Sequence, residues 1–221
     1  IIYYIGDRMK KILCFILLII LFFIIKLNQK KFYKNVQIIK KPDEISVVVN
    51  KNNKLPAVYV QEHLTEISND MAYNGKKIRI EALEAFKKLW KEAKKENLKI
   101  TIVSAYRDYE YQSKLFQEYV QEKGLNYALN CSAKPGHSEH QTGLAIDVMG
   151  ENGDYNLFEQ TKEFEWMKDH AHEFGFILRY PKGKEKITGF KYEPWHYRYV
   201  GIELASTIFE KKMTLEEYFR K

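Results

Sequence analysis

One segment, residues 132–150, constrains the fold and chemistry of this chain more than any other. It reads SAKPGHSEHQTGLAIDVMG, with His140 and Asp147 on either side of Gly143. The alternation after the glycine predicts a short strand with apolar residues on one face and the carboxylate on the other. Because a carboxylate among apolar residues is costly to bury alone, we expect a metal ion bound by Asp147 and a nearby imidazole. The predicted apolar face is Leu144, Ile146 and Val148, with Ala145 beside Asp147 on the other.

A second short segment supplies further ligands. The sequence EPWH brings another imidazole, His196, and another carboxylate, Glu193. Two histidines and one aspartate leave the fourth tetrahedral position of a zinc ion for water, as a catalytic zinc site requires. Glu139 and Glu193 are both candidate bases, and the Pro-Trp link could hold Glu193 near the metal without ligating it. A single histidine would be better explained as a surface or hydrogen-bonded residue, but the two motifs together favour a metal site.

The remaining histidines are weaker candidates. His137 lies close to His140 and either could bind a metal, but His140 adjoins the turn that leads into the predicted strand. His170 and His172 point to different faces of a predicted helix, so they cannot easily share an ion. His63 lies in a polar segment and is predicted at the surface.

Arg107 is the predicted cationic member of the site. It lies in the sequence SAYRD, between a predicted strand and a helix that Asp108 would cap. Side chains at such junctions reach into clefts, and a helix N-terminus adds positive potential. The alternative is an ordinary salt bridge at the helix cap, which the local sequence leaves open.

The other predicted elements mix helices and strands. Amphipathic spacing predicts helices, and β-branched or aromatic runs predict strands. Because these elements do not alternate as βαβ units, we expect the α+β class, with a small antiparallel sheet and flanking helices. The predicted helices are Ile80–Lys95, Tyr109–Lys123, Thr161–Phe174 and a short one capped by Thr214, and the predicted strands are Ile45–Val49, Lys99–Ser104, Phe176–Tyr180 and Tyr197–Val200.

The N-terminal part of the chain predicts a membrane attachment. Every residue from Ile12 to Ile25 is apolar, a length short of the ~20 residues that span a bilayer comfortably and nearer to a signal-peptide core. No small-residue cleavage site follows, so we expect an uncleaved anchor in residues 1–27, a polar tether in 28–45 and the folded domain in 46–221. The alternative is a buried helix, and basic residues on both sides leave the orientation open.

Composition narrows the range of partners. Hydrophobic residues make up 45% of the chain and aromatic residues 14%, which suffices for a packed core over most of the length. The net charge of +7 suits an anionic partner such as nucleic acid, lipid headgroups or an acidic wall polymer. Since the lysines are scattered and no recognised binding motif accompanies them, we expect no nucleic-acid partner. The two cysteines lie in unrelated contexts and predict no disulfide.

Several motifs in one order carry a family resemblance. They are SAYR at 104–107 followed by Gln112, PGHSEHQTGLAID at 135–147, GFILRYP at 175–181 and EPWHYRYVG at 193–201. Together they resemble the VanY-type D-alanyl-D-alanine carboxypeptidases, part of a zinc peptidase group that also includes L,D-carboxypeptidases of peptidoglycan. The resemblance covers roughly residues 46–205, and no motif residue is missing.

The resemblance implies a hedgehog/D,D-peptidase-like zinc fold and a chemical role for four residues. His140, Asp147 and His196 would be the ligands of Zn2+. Glu193 would be the general base that takes a proton from the attacking water and later passes it to the leaving amine. No covalent acyl-enzyme is then needed, because zinc activates the water and polarises the scissile carbonyl.

The resemblance also implies a substrate. The chain would remove the C-terminal D-alanine from peptidoglycan stem peptides. Arg107 would stabilise the oxyanion or hold the substrate carboxylate, for which Gln112 and Ser132 are weaker candidates. Such a substrate lies outside the cell, so we expect the protein on the cell membrane with its catalytic domain extracellular. We also expect a monomer.

Two alternatives stay open at this point. The same scaffold could cut a different bond, either an L,D bond in a tetrapeptide or the D-Ala-D-Ala dipeptide, because specificity depends on pocket shape. A non-catalytic wall-binding module would keep zinc only for structure. Such a module would need neither Glu193 nor Arg107, and the presence of both favours the enzyme.

Overall fold

The structure is a computed structural model that describes residues 32–73 and 75–220. The chain divides into two units, Ile1–Val36 and Gln37–Lys221, and the elements described below belong to the second, which begins inside the predicted tether, residues 28–45. The predicted anchor, residues 1–27, lies outside the described residues. In the part of the chain that is described, no helix is long and apolar enough to cross a membrane.

A four-stranded antiparallel sheet forms the centre of the second unit. Its strand order is β5-β6-β8-β7, so the two strands that carry the candidate ligands lie side by side in the middle. The structure therefore confirms the predicted α+β class with a small antiparallel sheet. The strands are β5 (Thr101–Ser104), β6 (Ala145–Met149), β7 (Phe176–Leu178) and β8 (His196–Tyr199).

Both faces of β6 are buried, which the simple alternation did not predict. Leu144, Ile146 and Val148 lie in the main core as expected, but Ala145 on the opposite face is buried as well. Asp147 is the partly exposed residue of this strand. Its carboxylate thus lies on a sheet face that other residues cover, and it needs a charged partner there.

Two short strand pairs flank the sheet. β1 (Gln37–Ile38) pairs in parallel with β2 (Asn53–Lys54), and β3 (Leu64–Glu66) pairs in antiparallel with β4 (Lys77–Arg79). The predicted strand Ile45–Val49 is wrong, because these residues form turns and extended chain without a ladder.

The carbonyl groups of the 45–49 segment have a different partner. Arg198 Nη2 donates to the carbonyls of Ile45 and Val47, at 2.8 and 2.9 Å. A side chain therefore satisfies backbone acceptors that a neighbouring strand would otherwise have satisfied.

The helices surround the sheet. The longest helix in the described part of the chain, Ile80–Lys95, has the predicted bounds and buries an apolar stripe against the sheet, where Phe86 meets Phe176 edge-to-face. Leu89 belongs to this buried stripe, and Trp90 is only partly buried. The helices are α1 (Ile80–Lys95), α2 (Tyr109–Lys123), α3 (Leu125–Cys131), α4 (Lys162–His170), α5 (Glu185–Thr188), α6 (Ile202–Glu210) and α7 (Leu215–Phe219).

Capping explains where several helices begin. Asp108 accepts a hydrogen bond from the Tyr111 N–H at 2.7 Å and starts α2 as predicted. Thr214 and Glu217 form the full capping box predicted for α7. The predicted helix Thr161–Phe174 is α4 followed by a 3₁₀ turn, Ala171–Phe174.

Gly143 ends the 3₁₀ turn Glu139–Thr142, and replacing it tests how tightly the chain is packed around this turn. Its φ is +68°, and an added Cβ would lie 2.8 Å from Leu64 Cδ2 and 3.1 Å from Arg79 Cγ. Gly183 also has a positive φ, +83°, but nothing lies within 4 Å of its Cβ position. We expect Gly183→Ala to cost about 1–2 kcal/mol from the backbone conformation alone. Gly143→Ala should cost about 1–3 kcal/mol more, because the methyl group must also displace packed neighbours.

Urea denaturation of both variants measures this difference. Equal free energies of unfolding for Gly143→Ala and Gly183→Ala would show that the tight packing around Gly143 does not resist a methyl group.

Candidate active site

One row of residues across the sheet builds the centre of the site. Asp147 on β6 is directly opposite His196 on β8 and is also paired with Ser104 on β5. Directly opposite residues in neighbouring strands project from the same face. Asp147 Oδ1 accordingly lies 3.0 Å from His196 Nδ1. The register of the sheet thus brings together two residues far apart in the sequence.

The register between β5 and β6 shifts next to this row. Ile102 pairs with Val148, but the next pair is Ser104 with Asp147, so one residue of β5, Val103, is extra. Such β-bulges redirect side chains and are frequent beside active sites. Here the bulge leads β5 into the segment that carries Arg107.

His140 reaches the same point from the 3₁₀ turn before β6. Its Nδ1 lies 2.6 Å from the carbonyl oxygen of Ala105, and its Nε2 lies 3.3 Å from Asp147 Oδ2. Because a carbonyl oxygen only accepts, Nδ1 must carry the proton of the neutral ring. The lone pair of Nε2 then points at Asp147, and Nε2 has no hydrogen-bond partner in the described structure.

These three residues fit a metal ion. Their candidate ligand atoms, one from each of His140, Asp147 and His196, lie within 4.8 Å of one another. A buried imidazole nitrogen without a hydrogen bond is expensive unless something binds its lone pair. Two nitrogens and one carboxylate oxygen form the donor set of a catalytic zinc site with an open position. The structure therefore brings together the three predicted ligands.

Charge around the three residues also favours a cation. Burial and Arg107 lower the pKa of His140 to about 4. Burial would lower the pKa of His196 too, but the neighbouring carboxylates of Asp147 and Glu139 raise that pKa to about 9. Burial would raise the pKa of Asp147, but the two histidines hold it well below its usual range. The carboxylates thus stabilise positive charge at this point of the cleft.

Glu193 lies beside the three residues without being one of them. Its carbonyl accepts a hydrogen bond from the His196 N–H at 3.2 Å, which closes a four-residue turn with Pro194 in its preferred second position. Its Oε2 lies 3.7 Å from His196 Nδ1. Burial raises the pKa of Glu193 to about 7, in the range that suits a general base at neutral pH.

Arg107 lines the same cleft as Glu193. Its Nη1 lies 3.6 Å from Asp147 Oδ2 and donates to Ser104 Oγ at 2.8 Å, and its Nε donates to Gln112 Oε1 at 3.2 Å. The amide nitrogen of Gln112 in turn donates to Ser132 Oγ at 3.2 Å. Arg107 and Ser132 line the cleft, whereas Gln112 is buried behind them and links the two.

The cleft itself has a volume of about 430 Å³. Its floor is the row of charged residues described above, and its walls are rich in aromatic side chains. Leu115 and Tyr119 on α2 belong to these walls, which explains why they are only partly buried, whereas Gln112 is the buried residue of that helix. The aromatic residues that line the cleft are Tyr73, Tyr111, Tyr119, Tyr180, Phe190 and Trp195.

Residues 75–202 match the VanY family model, which is described as D-alanyl-D-alanine carboxypeptidase. The chain belongs to the VanY family. It is 41% identical over 201 residues to the Bacillus subtilis (strain 168) protein YodJ, an alignment that covers 88% of this chain and 74% of YodJ. This confirms the predicted resemblance.

Solved structures agree with this assignment. The LdcB LD-carboxypeptidase superposes with a TM-score of 0.79 at 40% identity, over 85% of this chain and 91% of that one. A mutant of the vancomycin resistance D,D-pentapeptidase VanY, in complex with Zn(II), superposes with a TM-score of 0.68 at 36% identity, over 79% of this chain and 98% of that one. The predicted hedgehog/D,D-peptidase-like fold and the predicted zinc cofactor are therefore confirmed.

Glu139, the second candidate base, has a different environment in this VanY-family protein. Its Oε1 accepts hydrogen bonds from Arg179 Nε at 2.7 Å and from Arg198 Nη1 at 2.9 Å. Burial would raise the pKa of Glu139, but the two arginines hold it well below its usual range. Its Oε2 faces the far nitrogen of His196, Nε2, at 3.6 Å. It therefore lies behind a candidate ligand, and the geometry leaves Glu193 as the base.

The other histidines lie away from the three candidate ligands. His137 Nδ1 lies 2.8 Å from the carbonyl oxygen of Asn50, and His170 pairs with Glu173. His63 is exposed, as predicted. His172 stacks on Phe209, with ring centroids 3.7 Å apart.

The sequence analysis missed the buried arginines of this VanY-family protein. Arg179 and Arg198 are fully buried, although each stands in one of the family motifs without a predicted role. The available signal was an arginine on each of two aromatic strands, a position that is unfavourable unless a carboxylate lies close by. The partner, Glu139, comes from a distant part of the chain, so only the tertiary structure reveals the pairing.

Proposed function

We propose that this protein is a zinc-dependent carboxypeptidase that removes the C-terminal D-alanine from peptidoglycan stem peptides. The observation that carries the proposal is the convergence of His140, Asp147 and His196 with Glu193 and Arg107 in one cleft. Membership of the D-alanyl-D-alanine carboxypeptidase family supports the substrate class.

We assign each of these residues a step. His140, Asp147 and His196 would hold Zn2+, which would act as a Lewis acid that activates water and polarises the scissile carbonyl. Glu193, with a pKa near neutrality, accepts the proton of the attacking water and then donates it to the leaving amine of D-alanine. Arg107, held by Ser104 and Gln112, offers its remaining N–H groups to the substrate carboxylate or to the oxyanion.

Arg107→Lys tests the role of the guanidinium. The lysine keeps the positive charge but loses the forked donor geometry. Loss of a hydrogen bond to a charged group costs about 1.5–3 kcal/mol, so we expect kcat/KM to fall roughly 10- to 150-fold. If Arg107 holds the carboxylate of the bound substrate, most of the loss appears in KM. If it contacts only the oxyanion, the loss appears in kcat with KM unchanged.

The control for this variant is Lys182→Arg, an exchange of the same two residue types. Lys182 does not line the cleft, and its Nζ pairs with Glu159 at 3.4 Å on the surface. Wild-type kinetics for Arg107→Lys would remove Arg107 from the mechanism.

Incubation with defined muropeptides tests the proposed activity. The zinc-loaded protein is mixed separately with a stem pentapeptide and a tetrapeptide, and the products are identified by mass spectrometry. Loss of one alanine from the pentapeptide supports the D,D-carboxypeptidase. The L,D-carboxypeptidase is the alternative, favoured by the superposition on LdcB, and would cut the tetrapeptide instead. Cleavage of neither, with one zinc bound, would contradict both and favour a wall-binding module.

We further propose that the protein acts as a monomer held at the cell membrane by residues 1–27, with its catalytic domain outside. The apolar run Ile12–Ile25 and an extracellular substrate support this location. Cell fractionation of the full chain, beside a variant without residues 1–27, tests it. The full chain should sediment with membranes, resist an alkaline wash and be cleaved by protease added to intact protoplasts. Release by the wash would contradict the anchor.

A further inference from the structure

We propose that Glu139 is a positioning residue that sets the tautomer of His196, so that Nδ1 rather than Nε2 binds the metal. This inference deepens the proposed function and rests on His196 being a zinc ligand. From the sequence alone, Glu139 was a candidate only for the general base.

The two nitrogens of His196 have different neighbours. Nδ1 faces the site, 3.0 Å from Asp147 Oδ1. Nε2 faces away from it, 3.6 Å from Glu139 Oε2. Both Nε2 and Glu139 Oε2 are buried, and neither has a hydrogen-bond partner among the described residues. The two atoms face each other, and because a carboxylate oxygen can only accept, the contact is attractive only when Nε2 carries a proton.

The tautomer matters because a neutral imidazole has one lone pair on nitrogen. With the proton on Nε2, the lone pair is on Nδ1 and points into the site. With the proton on Nδ1, the lone pair points at Glu139 and His196 cannot bind the ion. A carboxylate behind a metal-binding histidine is a recurrent way to choose between these states.

Glu139 belongs to a group of four buried charged residues, which we name the ion cluster: Glu139, Arg179, Arg198 and Glu216. Two arginines donate to Glu139 Oε1, so Oε2 is the oxygen left for His196. Arg179 is held in turn by both oxygens of Glu216, at 2.7 and 2.8 Å. The cluster contains two positive and two negative groups, and their mutual attraction and hydrogen bonds offset the desolvation cost of burying them.

This geometry predicts the effect of Glu139→Gln. Both arginines are donors, so the amide oxygen must occupy the Oε1 position. The NH2 group then replaces Oε2 and donates towards His196 Nε2. A donor facing Nε2 is compatible only with the proton on Nδ1, the wrong tautomer for a metal. The variant keeps the shape of the side chain while reversing one hydrogen bond.

Glu216→Gln is the matched control. It makes the same chemical change in the same ion cluster, but Glu216 does not contact His196. Zinc affinity of both variants and the parent is measured by competition with a chromophoric chelator. We expect Glu139→Gln to bind zinc roughly 10- to 100-fold more weakly, as for other residues behind a metal ligand. Glu216→Gln should bind zinc as the parent does, even if its urea midpoint falls.

The parent protein provides a second test that needs no variant. In the zinc-saturated parent labelled with ¹⁵N-histidine, NMR should show the His196 proton on Nε2. A proton on Nδ1 would overturn the proposal, as would equal zinc affinities for Glu139→Gln and Glu216→Gln. His196→Ala is measured beside them. Retained zinc affinity in that variant overturns the ligand set itself, whereas its loss together with parental affinity in Glu139→Gln overturns only the role of Glu139.

Discussion

Replacing Glu193 by glutamine is expected to lower kcat roughly 10²- to 10⁴-fold, the contribution typical of a positioned general base. The amide has nearly the same shape but cannot accept the proton of the attacking water. Burial of Glu193 beside the candidate ligands raises its pKa to about 7, so the carboxylate can both take and return a proton near neutral pH. The loss should appear in kcat rather than KM, because proton transfer occurs in the chemical step.

Zinc content separates this effect from damage to the metal site. Glu193 is not one of the three candidate ligands, so Glu193→Gln should keep one zinc per chain by elemental analysis. Glu159→Gln is a suitable control, because Glu159 pairs with Lys182 on the surface and does not line the cleft. D-alanine release at the parental rate by zinc-loaded Glu193→Gln would remove Glu193 as the base.

Replacing Asp147 by asparagine is expected to abolish D-alanine release and most zinc binding. Asp147 lies between the two histidines, 3.3 Å from His140 Nε2 and 3.0 Å from His196 Nδ1, and it supplies the negative charge closest to both. Losing a ligand should weaken zinc binding more than the roughly 10- to 100-fold that losing a residue behind a ligand costs.

The stability of the folded protein gives an independent measurement. A ligand that binds only the folded state stabilises it, by about 2.7 kcal/mol when its free concentration is 100 times Kd. Zinc should therefore raise the Tm of the parent, and a chelator should reverse the shift together with activity. In Asp147→Asn the zinc-dependent shift should be largely lost.

Asp108→Asn is the matched control for this change. Asp108 caps α2, and asparagine caps helices about as well as aspartate, so both Tm and its response to zinc should stay close to the parental values. A parental zinc response in Asp147→Asn would exclude Asp147 as a ligand.

Local signals in the sequence determined much of the secondary structure and the identity of the candidate site. Amphipathic periodicity and capping residues gave the bounds of α1 and α2 and the start of α7, because hydrogen bonds within a helix and at its cap connect residues close in sequence. The motif residues His140, Asp147 and His196 were named from the sequence, and the structure brings them together.

The sequence failed where long-range contacts decide the structure. The β-branched run Ile45–Val49 looked like a strand, but Arg198 binds its carbonyl groups and no strand pairs with it. The sequence predicted α2 but not its surroundings, since Leu115 and Tyr119 on that helix line the cleft.

Properties of this protein that depend on local sequence therefore differ from those that depend on long-range contacts. The sequence by itself determined the family, the zinc chemistry and the side chains available for it, because those properties depend on residue types and short spacings. Only the tertiary structure showed which nitrogen of His196 faces the site, and that two arginines bind Glu139, the other candidate base, while Glu193 lies beside the ligands. The physical reason is that these contacts join residues far apart in the sequence. The register of β6 and β8 places His196 beside Asp147, and Arg198 on β8 and Arg179 just after β7 reach Glu139.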